Sequence, residues 1–337
     1  MFEVPLIVAP MAGGTSTPAL VTAAGAAGAV GFLAAGYKTP QAVAAEIASV
    51  RPAGVGFGVN LFVPSGAPAD AAALAAYRAE LQAEAERYGV ELPELTEGIT
   101  DDADFFSEKV QLLCDDPVPM VSFTFGLPAP AQVRVLQRAG TAVLATVTSV
   151  TEAGAAAAIG VDALVLQHAS AGGHSGAFLA GGPAPARNAA ELVGQVRRAG
   201  IVLPLAAAGG ISDAASIAAV LAAGASAAQL GTAFIRCAQS GARQLYKDAL
   251  ADPAYTRTAL TLAFTGKPAR ALENRFVLAH PDAPRAYPGV HYLTAPIRAG
   301  AAAAGDSGGL NLWAGTGWRT ASDGSAEGII GSLLGGL

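Results

Sequence analysis

The residues of this chain that could do chemistry crowd into a few glycine-rich turns. The richest is Gln167-His168-Ala169-Ser170-Ala171-Gly172-Gly173-His174-Ser175-Gly176. Glycines at 172, 173 and 176 let backbone come within van der Waals distance of a flat ligand, because no Cβ stands in the way. His174 sits among them, and an imidazole that titrates near neutrality suits a general base beside a carbon that gives up a proton or electrons. Two other turns, Gly209-Gly210 and Gly231-Thr232, offer bare backbone N–H groups. With helix starts behind them, such turns make a phosphate cradle without a lysine. His168 reads as structural, and His280 and His291, in a proline-rich stretch, show no evident partners.

Turns this far apart in sequence can meet only if a scaffold gathers them. Short apolar runs ending in Gly, Pro or Asn recur at Leu6–Ala9, Gly31–Ala34, Gly56–Leu61, Met120–Phe123, Ala142–Val147, Ala163–Gln167, Pro204–Ala207 and Ala227–Leu230. Ala-rich helical segments separate them, and Ala139-Gly140, Ala199-Gly200 and Ala223-Gly224 look like helix C-caps just before a strand. Eight runs, each followed by a helical pattern, predict an α/β fold: a closed parallel (β/α)8 barrel of the TIM type. Its active site would lie at the C-terminal strand ends, where Pro10-Met11, Asn60, Gln167, Gly209-Gly210 and Gly231-Thr232 fall. Two intervals are too long for simple connections. Residues 62–118 contain an amphipathic helix from Asp70 to Tyr88, with Leu74, Tyr77, Leu81 and Tyr88 on one face, Gly89 as its stop, and a second piece near Phe106, Val110 and Leu113. Residues 243–300 add a helical stretch and a proline-rich loop. The expected organisation is a barrel of residues 1–61 and 119–242, a helical cap and substrate domain of 62–118 and 243–300 over its mouth, and a segment, 301–337, returning to the barrel.

Composition narrows the classes. Of 337 residues 52% are hydrophobic and only 14% charged, and the net charge of −6 provides no basic patch for nucleic acid or anionic lipid. Cys114 and Cys237 stand alone, and the opening MFEVPLIVAPMAGG has no basic leader pattern, so a cytoplasmic protein is expected. Ala19–Gly36 is apolar enough to imitate a membrane span, but its glycines and the preceding Pro18 fit a buried strand-helix-strand passage better. No HExxH or cysteine cluster supports a metal. Gly54-x-Gly56-x-Gly58 lacks the preceding strand of a dinucleotide fingerprint. Gly305-Asp306-Ser307-Gly308-Gly309 spells the nucleophile segment of trypsin-like proteases, but no matching histidine segment accompanies it, and the run is ordinary loop chemistry.

In these motifs the chain resembles the nitronate monooxygenase family. Gln167 to Gly176 matches the family's Gln-Gly-x-Glu-Ala-Gly-Gly-His-x-Gly loop except at two positions. Ala9-Pro10-Met11-Ala12-Gly13, Gly58-Val59-Asn60-Leu61-Phe62, Ala208-Gly209-Gly210-Ile211, Gln229-Leu230-Gly231-Thr232, Phe264-Thr265-Gly266-Lys267-Pro268-Ala269-Arg270, Asn274-Arg275-Phe276 and Trp313-Ala314-Gly315 follow in the family's order. The resemblance implies an enzyme that uses FMN without NAD(P)H and oxidises alkyl nitronates, such as propionate 3-nitronate, with dioxygen to a carbonyl compound and nitrite. It implies that Asn60, Gln167, Gly172 and Gly173 hold the flavin ring and ribityl chain, that Gly209, Gly210, Gln229, Leu230, Gly231 and Thr232 hold the phosphate, and that the Met11 backbone lies near the reactive edge. His174 would then remove the α-proton of a neutral nitroalkane or orient the nitronate. The chain departs from the pattern at Ser170, where Glu is usual, at His168, where Gly is usual, and at Thr316, where Gln is usual. Flavin-dependent NAD(P)H:quinone reductases and enoyl-acyl-carrier-protein reductases share the Ala-Gly-Gly-His loop and form the competing expectation; a non-catalytic flavin or phosphate binder is a third. An acidic chain offers no basic docking surface for an acyl carrier.

Overall fold

Strands buried on both faces need continuous apolar runs rather than alternation, and the eight runs behave accordingly. The computed structural model describes residues 4–64, 70–96, 103–182 and 185–337. Its strands are β1 (Leu6–Val8), β2 (Val30–Ala34), β3 (Phe57–Phe62), β4 (Met120–Thr124), β5 (Ala142–Val147), β6 (Ala163–Gln167), β7 (Gly173–His174), β8 (Leu205–Ala208), β9 (Ala227–Leu230), β10 (Thr258–Thr261) and β11 (Ala269–Leu272). All but β7, β10 and β11 form one closed barrel, with every neighbouring pair parallel and β9 pairing back to β1 at Leu6 and Ala228. Side chains divide by strand parity: Ile7, Phe32, Leu144, Val165 and Ala206 fill the interior, while Leu6, Val8, Leu33, Val143, Leu164 and Leu205 meet the helices.

The helices are α1 (Pro18–Ala26), α2 (Pro40–Val50), α3 (Ala71–Glu80), α4 (Gln82–Tyr88), α5 (Phe106–Asp115), α6 (Pro130–Arg138), α7 (Val150–Ala158), α8 (Ala189–Arg198), α9 (Ala214–Ala222), α10 (Gln244–Ala249), α11 (Arg275–Ala279), α12 (Gly289–Ala303) and α13 (Ala326–Gly335). Local chemistry sets their ends. Thr17, Thr39, Ser149, Asn188 and Asp213 accept first-turn amides at N-caps. Gly140, Gly200 and Gly224 follow the helix ends with positive φ, as the Ala-Gly spacing predicts. The apolar stretch that imitates a membrane span is divided between α1 and β2, and among the described residues no helix is long and apolar enough to cross a membrane.

The two long intervals differ in part from expectation. Leu74, Tyr77, Leu81 and Ala85 of the first do pack with Phe264, Phe276, Val290, Leu293 and Ile297 of the second, in an apolar cluster separate from the barrel. The expected single helix over 70–88 is interrupted at Leu81 into α3 and α4. Helix α5 is not part of this cap: Val110 and Leu113 join the barrel cluster, so α5 is the ordinary barrel helix before β4. Residues 65–69 and 97–102 of that interval lie outside the described residues. The second interval holds the expected helical segments, in α10, α11 and α12, and in addition an unexpected hairpin, β10–β11; β11 pairs antiparallel with β7 at Ala269–His174 and Arg270–Gly173. After β9 the chain makes only a short 3-10 turn, and α13 packs against α1 with Ile330 and Leu333 in the barrel cluster, filling the place of the eighth helix.

One buried ion pair ties α5 to the barrel mouth. Lys109, 1% exposed, donates to the Asp104 carboxylate at 2.9 Å and to the Ala35 carbonyl, while Asp104 accepts the N–H of Tyr37. Tyr37 holds a left-handed backbone with φ of 66°, a conformation that surrounding contacts must enforce. Lys109→Met is expected to lower unfolding free energy by about 2 kcal/mol, less than the full cost of breaking a buried pair because Asp104 keeps some solvent contact. Thermal unfolding measures it, and an unchanged midpoint would show that the pair carries no net stabilisation.

Candidate active site

The strand tips converge as the barrel topology requires. Met11, Asn60, Gln167, Gly172, Gly173 and His174 line one cavity at the mouth, and so do Gly209, Gly210, Gln229, Leu230, Gly231 and Thr232. Its empty volume, open mouth included, is about 1430 Å³.

One side of the floor is a row of polar groups on successive strands. The Asn60 amide nitrogen donates to the Ser122 hydroxyl (2.8 Å) and to Thr124 Oγ1 (2.9 Å), which lies 3.1 Å from Thr146 Oγ1. With its Nδ2 engaged there, Asn60 keeps Oδ1 as an acceptor for a ligand N–H. Gln167 is less free than the sequence suggests: Nε2 donates to the His174 carbonyl at 3.0 Å and Oε1 accepts the Gly176 N–H at 2.7 Å, bracing the glycine-rich loop from both sides. The backbone of Met11 is likewise spent on Ser16, in both directions, so its side chain is what reaches the cavity.

The opposite side is built of bare amides. Among the described residues the N–H groups of Gly209, Gly210 and Gly231 find no protein acceptor. Gly209 has φ of 111°, and a Cβ there would come to 2.7 Å of the His168 carbonyl oxygen, so only glycine permits this turn. Gly172 is as tightly held, with a Cβ coming to 2.5 Å of the Gly315 nitrogen. The expected helix contribution is smaller than the sequence implies. Asp213 already caps α9, and the turn after β9 is 3-10, so the turn amides themselves are the available donors. Convergent bare N–H groups of this kind suit a phosphate.

His174 stands between these features. Pairing of β7 with β11 fixes its backbone, and its Nε2 lies 2.9 Å from Thr265 Oγ1, leaving Nδ1 for a ligand. Phe125, Tyr287 and Trp313 surround the ring at centroid distances of 5.7, 6.1 and 5.2 Å. Burial, and then the charges of Lys267 and Arg298, push its pKa down to about 3, so the imidazole is neutral throughout the physiological range. Lys267 places its ammonium 4.3 Å from the Phe125 ring centre, and burial lowers its pKa to about 8 against a partial opposing pull from Glu152. Both Glu152 oxygens are occupied by Thr148 and by the amides of Phe178 and Leu179, and among the described residues no carboxylate forms an ion pair with Lys267 or Arg298.

A family model described as nitronate monooxygenase matches residues 1–336. The chain belongs to the nitronate monooxygenase family. Probable nitronate monooxygenases of Staphylococcus aureus (strain MSSA476) and Staphylococcus saprophyticus are 36% and 34% identical, each over 98% of this chain and over 94% and 93% of the relative. The solved nitroalkane oxidase of Streptomyces ansochromogenes superposes with a TM-score of 0.94 at 46% identity, covering 100% of this chain and 96% of that one. FabK of Thermotoga maritima, at 24% identity and a TM-score of 0.75 over 99% of this chain and 93% of its own, shares the fold.

Within that family frame, the three departures from the usual pattern meet at one point. Ser170 Oγ lies 2.7 Å from His168 Nδ1, and both Ser170 and Thr316 abut Gly210, where a Cβ would come within 2.7 and 3.0 Å of their hydroxyl oxygens. His168 also contacts the Ala186 carbonyl at 2.8 Å, which makes it a structural residue, as read from the sequence. His280 and His291 do have partners: His280 pairs with Glu80, and His291 stacks on Tyr37 at 4.2 Å and lines the cavity. Sequence reasoning missed His291, Arg298, Tyr37, Phe125 and Thr265 as cavity residues. The one available signal was the seven-residue spacing from His291 to Arg298 (298 − 291 = 7), two helical turns and hence one face. The Gly-Asp-Ser-Gly run is not a hydrolase site: Ser307 bonds Tyr255, Asp306 bonds Tyr88, and none of the four histidines touches either.

Proposed function

We propose that this chain is an FMN-dependent nitronate monooxygenase, taking an alkyl nitronate such as propionate 3-nitronate and dioxygen to a carbonyl compound and nitrite. The reading rests on one observation above all: bare glycine amides, a neutral imidazole and the Arg298 guanidinium share a single cavity, with the Lys267 ammonium against Phe125 of its lining. Gly209, Gly210 and Gly231 would receive the FMN phosphate, with Gln229, Leu230 and Thr232 beside them, and Asn60 Oδ1 and the Gly172-Gly173 backbone would meet the ring. Bound there, FMN supplies electron acceptance and the reaction with dioxygen. The protein's own contribution is position, exclusion of water and potential. His174 is the catalytic side chain, its Nδ1 taking the α-proton of a neutral nitroalkane or donating to a preformed nitronate, according to tautomer. Lys267 and Arg298 favour the anionic form of the substrate in either case, since among the described residues no carboxylate forms an ion pair with either.

Oxygen uptake by purified protein, with several nitronates and separately with NADH plus a quinone, tests the proposal. Uptake with nitronates, with no anaerobic bleaching of the visible flavin band by NADH, is expected. Rapid bleaching by NADH would assign the chain to the reductases instead, and a colourless preparation that FMN does not reconstitute would end the flavin reading.

A pH dependence follows. Lys267 is charged below its pKa of about 8 and loses its charge as pH rises past that value, so KM for a nitronate should rise above about pH 8. Lys267→Arg should move that rise to higher pH, while Lys267→Met should raise KM roughly tenfold at neutral pH and abolish the limb. A KM that stays level to pH 9 in the wild-type protein would remove Lys267 from substrate attraction.

A further inference from the structure

Arg298 is a half-buried cation whose Nε is sealed from solvent, and it has no counter-ion among the described residues. It projects from α12 into the cavity that holds His174, Phe125 and Trp313. Its Nη2 donates to the His291 carbonyl at 2.8 Å and lies 3.5 Å from His291 Nδ1, and among the described residues no other nitrogen of the guanidinium makes a hydrogen bond. Nε is wholly buried and without an acceptor among the described residues, and no carboxylate there forms an ion pair with the side chain. His291 offers no compensating charge, since burial and the neighbouring Arg298 push its pKa down to about 2. Burial lowers the pKa of Arg298 itself only to about 10, so the side chain stays cationic at neutral pH. Desolvating a guanidinium without a partner is costly, and a folded protein retains such a group where a ligand completes it.

We propose that Arg298 is the substrate-anion reader of this site: the N–H groups of Nη1 and the remaining one of Nη2 take the two oxygens of a planar oxyanion, the nitronate group itself, and so set specificity for two-oxygen planar anions. This deepens the nitronate reading and rests on it for the identity of the reacting anion. A guanidinium is planar and presents paired donors, so it matches a nitronate as it matches a carboxylate, and a single-oxygen enolate would satisfy only half of it. The stacked pair of Tyr37 and His291, with rings 6° from parallel, walls the cavity beside this group and limits the ligand's room on that side. Small planar anions that cannot react, nitrate and acetate, should therefore bind where the nitronate binds.

Isothermal titration of the holoenzyme with nitrate and with acetate tests this, alongside inhibition of nitronate oxidation by the same ions. Competitive inhibition and binding are expected in the wild-type protein, with Arg298→Met weakening binding of both ions roughly thirtyfold or more and Arg298→Lys lying between. Arg298→Lys, which keeps the charge, covers the case in which the methionine variant fails to fold. Wild-type affinity for the ions in Arg298→Met, or no binding by the wild-type protein, would overturn the proposal. So would loss of binding in Lys267→Met with full retention in Arg298→Met. If nitrate and acetate bind through Arg298 while no nitronate is consumed, the anion reader stands and the functional reading above fails.

Discussion

His174→Ala is expected to cut kcat/KM for neutral nitroalkanes by roughly 10²- to 10⁴-fold, the usual contribution of a positioned general base, while the protein stays yellow. Preformed nitronates should lose only about tenfold, the scale of one hydrogen bond to a charged partner. The split follows from charge. Taking a proton from a neutral nitroalkane creates an imidazolium and a nitronate together. Lys267 and Arg298 oppose the first, which is why burial and these charges hold His174 neutral down to about pH 3, and they favour the second. Proton removal is therefore workable only with the anion held in place, and a preformed nitronate avoids the step altogether. Flavin retention is expected because backbone contacts fix the loop: the pairing of β7 with β11 and the bond from Gln167 to the residue 174 carbonyl survive truncation of the side chain. Equal losses on nitroalkane and nitronate would mean that His174 does not act as a base. A colourless variant would make it a structural residue.

The barrel was legible because its strands are buried on both faces. Leu6–Val8 or Ala142–Val147 reads as a continuous apolar run for that reason, and strand tips rich in glycine mark where the chain turns into the mouth. Every residue singled out for flavin or catalysis from those tips lines the one cavity. What stayed hidden is non-local. Strands β10 and β11, Thr-Ala-Leu-Thr and Ala-Arg-Ala-Leu, are four residues each, and β7 is two; their pairing joins His174 to Ala269, a partner no local pattern announces. Helix α5 carries Val110 and Leu113 in a spacing that would suit a cap or a barrel equally, and only the docked helix distinguishes them. Arg298 and His291 share a helix face, yet nothing in α12 says that this face meets a cavity. That is decided by how α12 packs with α3 and α4.

Gly209→Ala should empty the site of flavin. The residue sits at φ of 111°, where an L side chain is strained by about 1–3 kcal/mol, and its Cβ would press to 2.7 Å of a backbone oxygen, that of His168, which cannot rotate away. Relief requires the turn to move, and with it the unpaired amides of Gly209 and Gly210 that the phosphate needs. Charge-assisted bonds from such amides contribute about 1.5–3 kcal/mol each, so losing alignment of one or two weakens FMN roughly a hundredfold. Gly140→Ala is the control: φ of 90° imposes similar strain, but nothing lies within 4 Å and the residue closes α6 before β5, at the opposite end of the barrel from the mouth. It should lose some thermal stability and keep a full complement of flavin. Flavin stoichiometry from the visible absorbance of each purified variant, with fluorescence titration of the stripped proteins, separates the two. Full retention by Gly209→Ala would show that this turn does not face the phosphate, and the Gly231-Thr232 turn would then have to hold it alone.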